Sequence, residues 1–258
     1  MAKTYATYRY DYAAKPKSGY RESYCLGCVT VMFRPAWRTQ PWAKICLSPS
    51  KAGFSLPQLL KWVGYIVGFH NLNSVRVIRA EHKVDAIGLN YHACAQKVLC
   101  TAQFKVSSIR RVKSYLRFAG IKSPRHWRIY DKALELAKKH KMNFPGDWTR
   151  LEILRNYKKK EQMTILEFIR HLRTYNPFGD LFMLDADLSV VDGLIQPYGQ
   201  RIGNVLLEPM RRISKGDRDI VVSQLDSNGQ LVSFDSDYAR QRDAWLRQAK
   251  PVRVRRNV

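Results

Sequence analysis

Between residues 77 and 86 charged and apolar side chains alternate. Arg79, Glu81, Lys83 and Asp85 fall on one parity, and Ile78, Ala80, His82 and Val84 on the other. A period of two is that of a β-strand with one face buried. The same pattern returns in residues 148–154, where Arg150 and Glu152 oppose Thr149, Leu151 and Ile153. It appears again in residues 127–132, with Arg128 and Tyr130 against Trp127 and Ile129, and Lys132 just beyond if the strand continues. Three strands sharing one sheet would gather Glu81, Asp85, Glu152, Arg128, Lys132 and Tyr130 on its polar side.

The remaining pattern predicts strands over 24–33 and 42–47, separated by a loop with Pro35 and Pro41, and an amphipathic helix over 56–69 with Ser55 as its cap. A strand is expected over 74–87. Residues 91–106 read either as a helix followed by a strand or as one long helix. Strands over 111–118 and 125–130, joined by a turn around Gly120 and Pro124, lead into a helix over 131–140 and a loop at Pro145-Gly146. Thr164 and Glu167 form a capping box for a helix over 165–174. Beyond Asn176-Pro177 the chain is less basic, Ser227-Asn-Gly-Gln230 reads as a hairpin turn, and a basic helix over 238–250 precedes the tail Arg253-Val-Arg-Arg256. These elements predict an α+β fold: an antiparallel-rich central sheet with one polar face and helices on the other, plus a small C-terminal extension. The expected divisions are a basic, tyrosine-rich arm over 1–22, the main α+β domain over 23–176, and an extension with a hairpin and a basic helix over 177–258.

Charge narrows the choice of partner. The 258 residues carry 45 Lys and Arg against 21 Asp and Glu, a net charge of +24. Residues 105–160 hold 17 of those cations and 4 of the acids, so this stretch supplies +13 of the total. Tyr115, Trp127, Tyr130, Trp148 and Tyr157 are interleaved with them. Cations that track phosphates, together with rings that stack on unpaired bases, suit a nucleic-acid groove. The expected DNA contacts are Arg110, Arg111, Lys113, Arg117, Lys122, Arg125, Lys158, Lys159 and Lys160. The plainer reading of such a run is a solvated basic face. A membrane is not an expected partner, because the longest apolar segment, 56–69, is interrupted by Lys61 and too short to span a bilayer. The five cysteines, an odd count, lead to the expectation of free thiols in a reducing compartment, with Cys25-Leu-Gly-Cys28 as two thiols within a strand and a metal site as the lesser alternative.

The polar parities also carry chemistry. Hard carboxylate oxygens at Glu81, Asp85 and Glu152 suit Mg²⁺ or Mn²⁺. Cations flanking a tyrosine favour its phenolate, the nucleophilic form. The bland alternative is a half-exposed sheet with cross-strand Glu–Arg pairs and a surface tyrosine.

Four segments in order carry a resemblance. Ile45-Cys-Leu-Ser-Pro-Ser-Lys51 precedes the helix over 56–69, and Arg79-Ala-Glu-His-Lys-Val-Asp85 follows it. Then come Tyr115 to Glu135, containing Arg128-Ile-Tyr-Asp-Lys132, and Thr149-Arg-Leu-Glu-Ile-Leu154. This series resembles the rolling-circle replication initiators of the transposase-like plasmid Rep class, which have filamentous-phage relatives. The resemblance implies that Tyr130 is the nicking nucleophile, that Arg128 and Lys132 contact phosphate, and that Glu81, Asp85 and Glu152 bind or support the metal. It further implies a 5′-phosphotyrosine, an origin hairpin that is single-stranded at the nick, and the cytoplasm of a bacterial host, and it leaves open a host helicase or polymerase as partner and a homodimer. Two positions depart from the pattern: Cys46 stands where many members are acidic, and Glu81 where Asp is more usual. The rival functions are a non-catalytic basic DNA- or RNA-binding protein and a hydrolytic nuclease using the same carboxylates.

Overall fold

The computed structural model describes residues 11–12, 19–26, 29–38, 41, 43–47, 56–105, 108–120, 125–203 and 205–247. Most of the expected arm, Cys28, the Ser55 cap, Lys122, Pro124 and the basic tail lie outside the described residues. Two compact units divide the chain: Met1–Val75 with Asp243–Val258, and Arg76–Arg242.

In the first unit, β1 (Asp11–Tyr12), β2 (Tyr20–Leu26), β3 (Val29–Pro35) and β4 (Ala43–Leu47) form an antiparallel meander in that order. The single strand expected over 24–33 is two strands, because Leu26 and Val29 pair with each other across the hairpin. Val29 and Val31 are buried against Phe33, Ile45, Leu47 and Ile66. Ile66 belongs to α1 (Leu56–Val67), which a 3-10 turn (Phe69–Ser74) follows.

The second unit starts with β5 (Arg76–Val77) and β6 (Arg79–Ile87), so the strand expected over 74–87 breaks at Ile78. Residues 91–100 settle as a helix and then a strand, α2 (Tyr91–Lys97) and β7 (Val98–Cys100). The Asn90 side chain caps α2 by accepting from the amides of His92 and Ala93, and the helix gives way at β-branched Val98. Next come β8 (Arg110–Val112), β9 (Tyr115–Ala119), β10 (Arg125–Asp131), α3 (Lys132–His140) and β11 (Trp148–Asn156). The strand expected over 111–118 is therefore a hairpin that turns at Lys113-Ser114. β12 (Met163–Thr164) pairs with β5, and α4 (Ile165–Leu172) starts on the expected Thr164–Glu167 capping box.

The central sheet is antiparallel throughout, in the order β6–β11–β10–β9–β8. One face carries Val84, Leu151, Ile153, Trp127, Ile129, Leu116 and Phe118, packed against Tyr91, Cys94 and Ala95 of α2. Trp127 and Phe118 stack with centroids 5.0 Å apart. Full burial of each such side chain contributes about 1.5–3 kcal/mol, so this face holds the sheet to its helices. The α+β expectation with an apolar, helix-covered face is what the chain adopts.

The chain beyond residue 176 is more than an extension. β13 (Leu181–Leu184) and β14 (Leu231–Ser233) join β7 in a second antiparallel sheet. Helices α5 (Leu188–Ile195), α6 (Leu207–Arg212) and α7 (Lys215–Ser227) pack around Leu184, Val191, Ile195, Met210, Val221 and Leu225. Phe234 and Tyr238, at the start of α8 (Asp235–Arg247), enter the main core. The boundary expected near residue 176 thus falls inside the larger unit. Ser227-Asn-Gly-Gln230 is not a hairpin turn but the end of α7, where Gly229 has φ +66° and Gln230 N–H returns to Leu225 O at 2.8 Å. Asn-Gly serves both purposes because each needs a left-handed residue.

Candidate active site

Strand register lays the polar face of the central sheet out in rows. Lys83, Glu152, Arg128, Arg117 and Arg110 follow one another across five strands. The neighbouring row runs Asp85, Arg150, Tyr130, Tyr115 and Val112. The alternation expected for residues 77–86, 127–132 and 148–154 is present, though the middle strand ends at Asp131, and the three strands lie side by side.

Tyr130 sits one residue before the end of β10. Asp131 caps α3 by accepting from Leu134 N–H at 2.8 Å, so Lys132 starts a helix instead of continuing the strand. The helix crosses the polar side, a departure from the expectation that helices lie only opposite it. Together with the β8–β9 turn, α3 walls an open pocket of about 460 Å³. Tyr130, Arg128, Glu152 and Glu81 line it from the sheet, and Glu135, Lys138 and Lys139 from the helix. A volume in this range suits a nucleotide-sized group.

Within the pocket Tyr130 donates its hydroxyl to Glu152 Oε1 at 2.7 Å. Glu152 is 7 % exposed, and its other oxygen lies 3.6 Å from Arg128 Nη1. Burial first, then the Glu152 hydrogen bond and charge, pushes the Tyr130 hydroxyl well above the ordinary tyrosine range, with Arg150 working in the opposite direction. This corrects the expectation that flanking cations favour a phenolate. Lys132 Nζ is bound to Glu135 at 2.6 Å, and the cation beside the phenol is Arg150. Glu135 also takes Lys139 at 2.7 Å. These two ammonium groups outweigh the upward push of burial and hold its carboxyl down to about 2.

The three expected metal ligands are not gathered. Asp85 accepts from Arg150 Nε at 2.5 Å and Nη2 at 2.8 Å, and from Trp148 Nε1 at 2.9 Å. Glu81 lines the pocket 3.9 Å from Arg79 and is 43 % exposed on its side chain. Among the described residues no group of three His, Cys, Asp or Glu side chains is arranged to hold a metal ion. The donors therefore do not fit the Mg²⁺ or Mn²⁺ cage expected from Glu81, Asp85 and Glu152, because Asp85 braces Arg150.

The expected DNA contacts divide between faces. Arg110 and Arg117 share the Arg128 row, and Arg117 Nη2 lies 3.4 Å from His126 Nδ1. Lys113 is exposed at the β8–β9 turn, and Lys158, Lys159 and Lys160 are exposed beyond β11. Arg111 has the opposite parity. Arg125 is also on the helix-covered side, ion-paired to Asp180 at 2.7 Å. Trp127 and Tyr157, expected as stacking rings, are 1 % and 5 % exposed and belong to the core side. His82, which shares the apolar parity of its strand, is buried.

Sequence reasoning missed Lys83, Lys138 and Lys139. Lys83 stands opposite Glu152, and burial followed by Arg150 lowers its pKa. Its place in the charged parity was the available signal. Lys138 and Lys139 follow Tyr130 by two helical turns, a spacing that matters only once α3 is seen folding back over the sheet.

Among the described residues no helix is long and apolar enough to cross a membrane. No protein-family model matches the chain, and no curated protein matches it. A solved structure of a rolling circle replication initiator protein from Geobacillus stearothermophilus is similar over 60 % of this chain and 65 % of that one, at 12 % identity and a TM-score of 0.37.

Proposed function

We propose that the protein nicks and rejoins one strand of DNA as an initiator of rolling-circle replication, with Tyr130 as the nucleophile. The observation that carries this reading is the 2.7 Å hydrogen bond from Tyr130 to Glu152 in a pocket bordered by Arg128, Lys138 and Lys139. A phenol that donates to a carboxylate has its proton acceptor in place. As the Tyr130 oxygen bonds to phosphorus, its proton passes to Glu152 and the bond from phosphorus to the 3′ oxygen breaks. The 3′ oxygen leaves as a hydroxyl after taking a proton from Glu152 or water, and the 5′ phosphate stays on the tyrosine. Arg128 and the α3 lysines offset the charge that builds on the phosphoryl oxygens. The covalent link retains the energy of the broken bond, and attack by a 3′ hydroxyl reverses the step.

The tightly held phenolic proton favours a second reading, a hydrolytic nuclease in which Glu152 activates water. One assay separates the two. Supercoiled origin plasmid is incubated with protein and divalent metal, then analysed for a nick and for an adduct that survives boiling in detergent. An adduct lost in Tyr130→Phe supports strand transfer, and a nick without an adduct supports hydrolysis. Tight binding with neither product supports a non-catalytic DNA-binding role.

A further inference from the structure

The side of the sheet away from Tyr130 carries two guanidinium groups face to face. Arg125 and Arg155 are direct cross-strand partners in β10 and β11, an arrangement that is destabilising by itself. The Nε of each is buried without a hydrogen-bond partner. Arg155 lies over the ring of Tyr157 at 4.9 Å and donates Nη1 to the Tyr175 hydroxyl at 3.1 Å.

Two histidines complete the surroundings. His82, 6 % exposed, engages the Tyr238 hydroxyl through Nδ1 at 2.9 Å and leaves Nε2 buried and unpartnered. His171 stacks on Tyr175 with centroids 4.5 Å apart, and its Nε2 is likewise without a partner, as is the Tyr157 hydroxyl. His82 senses the others: burial, then Arg155, His171 and Arg125, lower its pKa to about 4.

Acceptors are scarce. Asp180 is already bonded to Arg125 Nη1 at 2.7 Å, and Glu161 brings one buried, unpartnered oxygen. The two Arg Nε atoms can only donate, the Tyr157 hydroxyl and the two imidazole Nε2 atoms can donate or accept, and the Glu161 oxygen is the one unpartnered carboxylate oxygen among them. Water supplies donors and acceptors alike, whereas an oxyanion supplies several acceptors at once.

We propose that this cluster, formed by Arg125, Arg155, His82, His171 and Tyr157, is a binding site for a phosphate group, separate from the Tyr130 pocket. The site is independent of the nicking reading and stands whether or not Tyr130 is a nucleophile. Its phosphate comes either from a free phosphate or from the backbone of a nucleic acid.

The test is a titration of the full chain with inorganic phosphate at constant ionic strength, set by chloride, with the histidine side chains followed by NMR. A second titration uses an oligonucleotide without terminal phosphates. Saturable shifts of His82 and His171, abolished by Arg155→Gln, are expected with at least one of them. Saturation at lower concentration by the oligonucleotide identifies a backbone phosphate; the reverse identifies a free one. If Arg155→Gln does not fold, Tyr157→Phe removes only a hydroxyl and is expected to weaken phosphate affinity by about 2- to 10-fold. No shift with either ligand, or shifts and affinity unchanged in these variants, overturns the proposal.

Discussion

Tyr130 and Glu152 are joined by a 2.7 Å hydrogen bond between adjacent strands in which Tyr130 faces Arg150 and Glu152 faces Arg128. The bond runs diagonally, two residues off the direct pair, and puts a carboxylate at the oxygen that would attack phosphorus. Replacing Tyr130 with Phe is expected to abolish any covalent adduct while weakening DNA affinity by no more than about tenfold, because at most one net hydrogen bond is lost. Gel assays for the adduct and a binding isotherm check both halves. An adduct that persists in the variant excludes Tyr130 as the nucleophile.

The two-point contact of Arg150 with Asp85 separates a brace from a metal ligand. Arg150→Met is expected to cost about 3 kcal/mol, since it leaves a partly buried carboxylate unpaired. Asp85→Asn should lower stability as well, and added Mn²⁺ should shift the thermal unfolding midpoint of wild type and variant by the same amount. A Mn²⁺-induced shift that is lost in the variant would return Asp85 to a ligand set.

Arg128, Arg117 and Arg110 form a continuous cationic row across three strands of the polar face. Neutralising one residue that contacts phosphate is expected to reduce the slope of log affinity against log salt by about 0.7 to 0.9. Glutamine at each position, titrated with single-stranded and duplex DNA over a range of salt, measures this. Tyr130→Phe should leave the slope unchanged.

Glu135 couples α3 to pH. Its folded pKa of about 2 lies below its ordinary value of 4.5, so the folded state holds the ionised form in preference. The resulting stability is fully present above about pH 5 and is lost as pH falls toward 2. His82 works over a higher window: depressed from 6.5 to about 4, it costs the fold stability as pH drops through that interval. Denaturant unfolding at a series of pH values should show both effects. Glu135→Gln is expected to flatten the lower part of the curve, and an unchanged slope there would contradict the Lys132–Glu135–Lys139 arrangement.

Gly229 tests the revised end of α7. With φ at +66° and open space around its α-carbon, Gly229→Ala meets backbone strain and no clash. A loss of about 1 kcal/mol in unfolding free energy is expected, with nicking unaffected. Equal stability would mean that the left-handed cap is not used.

Face assignment was readable from the chain because a strand's period of two is a local property. Arg79, Glu81, Lys83, Arg150, Glu152, Arg128 and Tyr130 could be placed on polar faces from their neighbours alone, and Thr164 with Glu167 announced a helix start in the same way. The periodicity is imposed by backbone geometry, so a short window of sequence contains it. Cross-strand partners are different, because register depends on turns and packing at a distance. Only the folded sheet gave Asp85 to Arg150 and brought Tyr130 to Glu152, whereas Lys132 and Glu135 pair locally, three residues apart within α3. The fate of Asn228-Gly229 was likewise decided by the packing of Val221 and Leu225 around α7, since a left-handed glycine ends a helix as readily as it turns a hairpin.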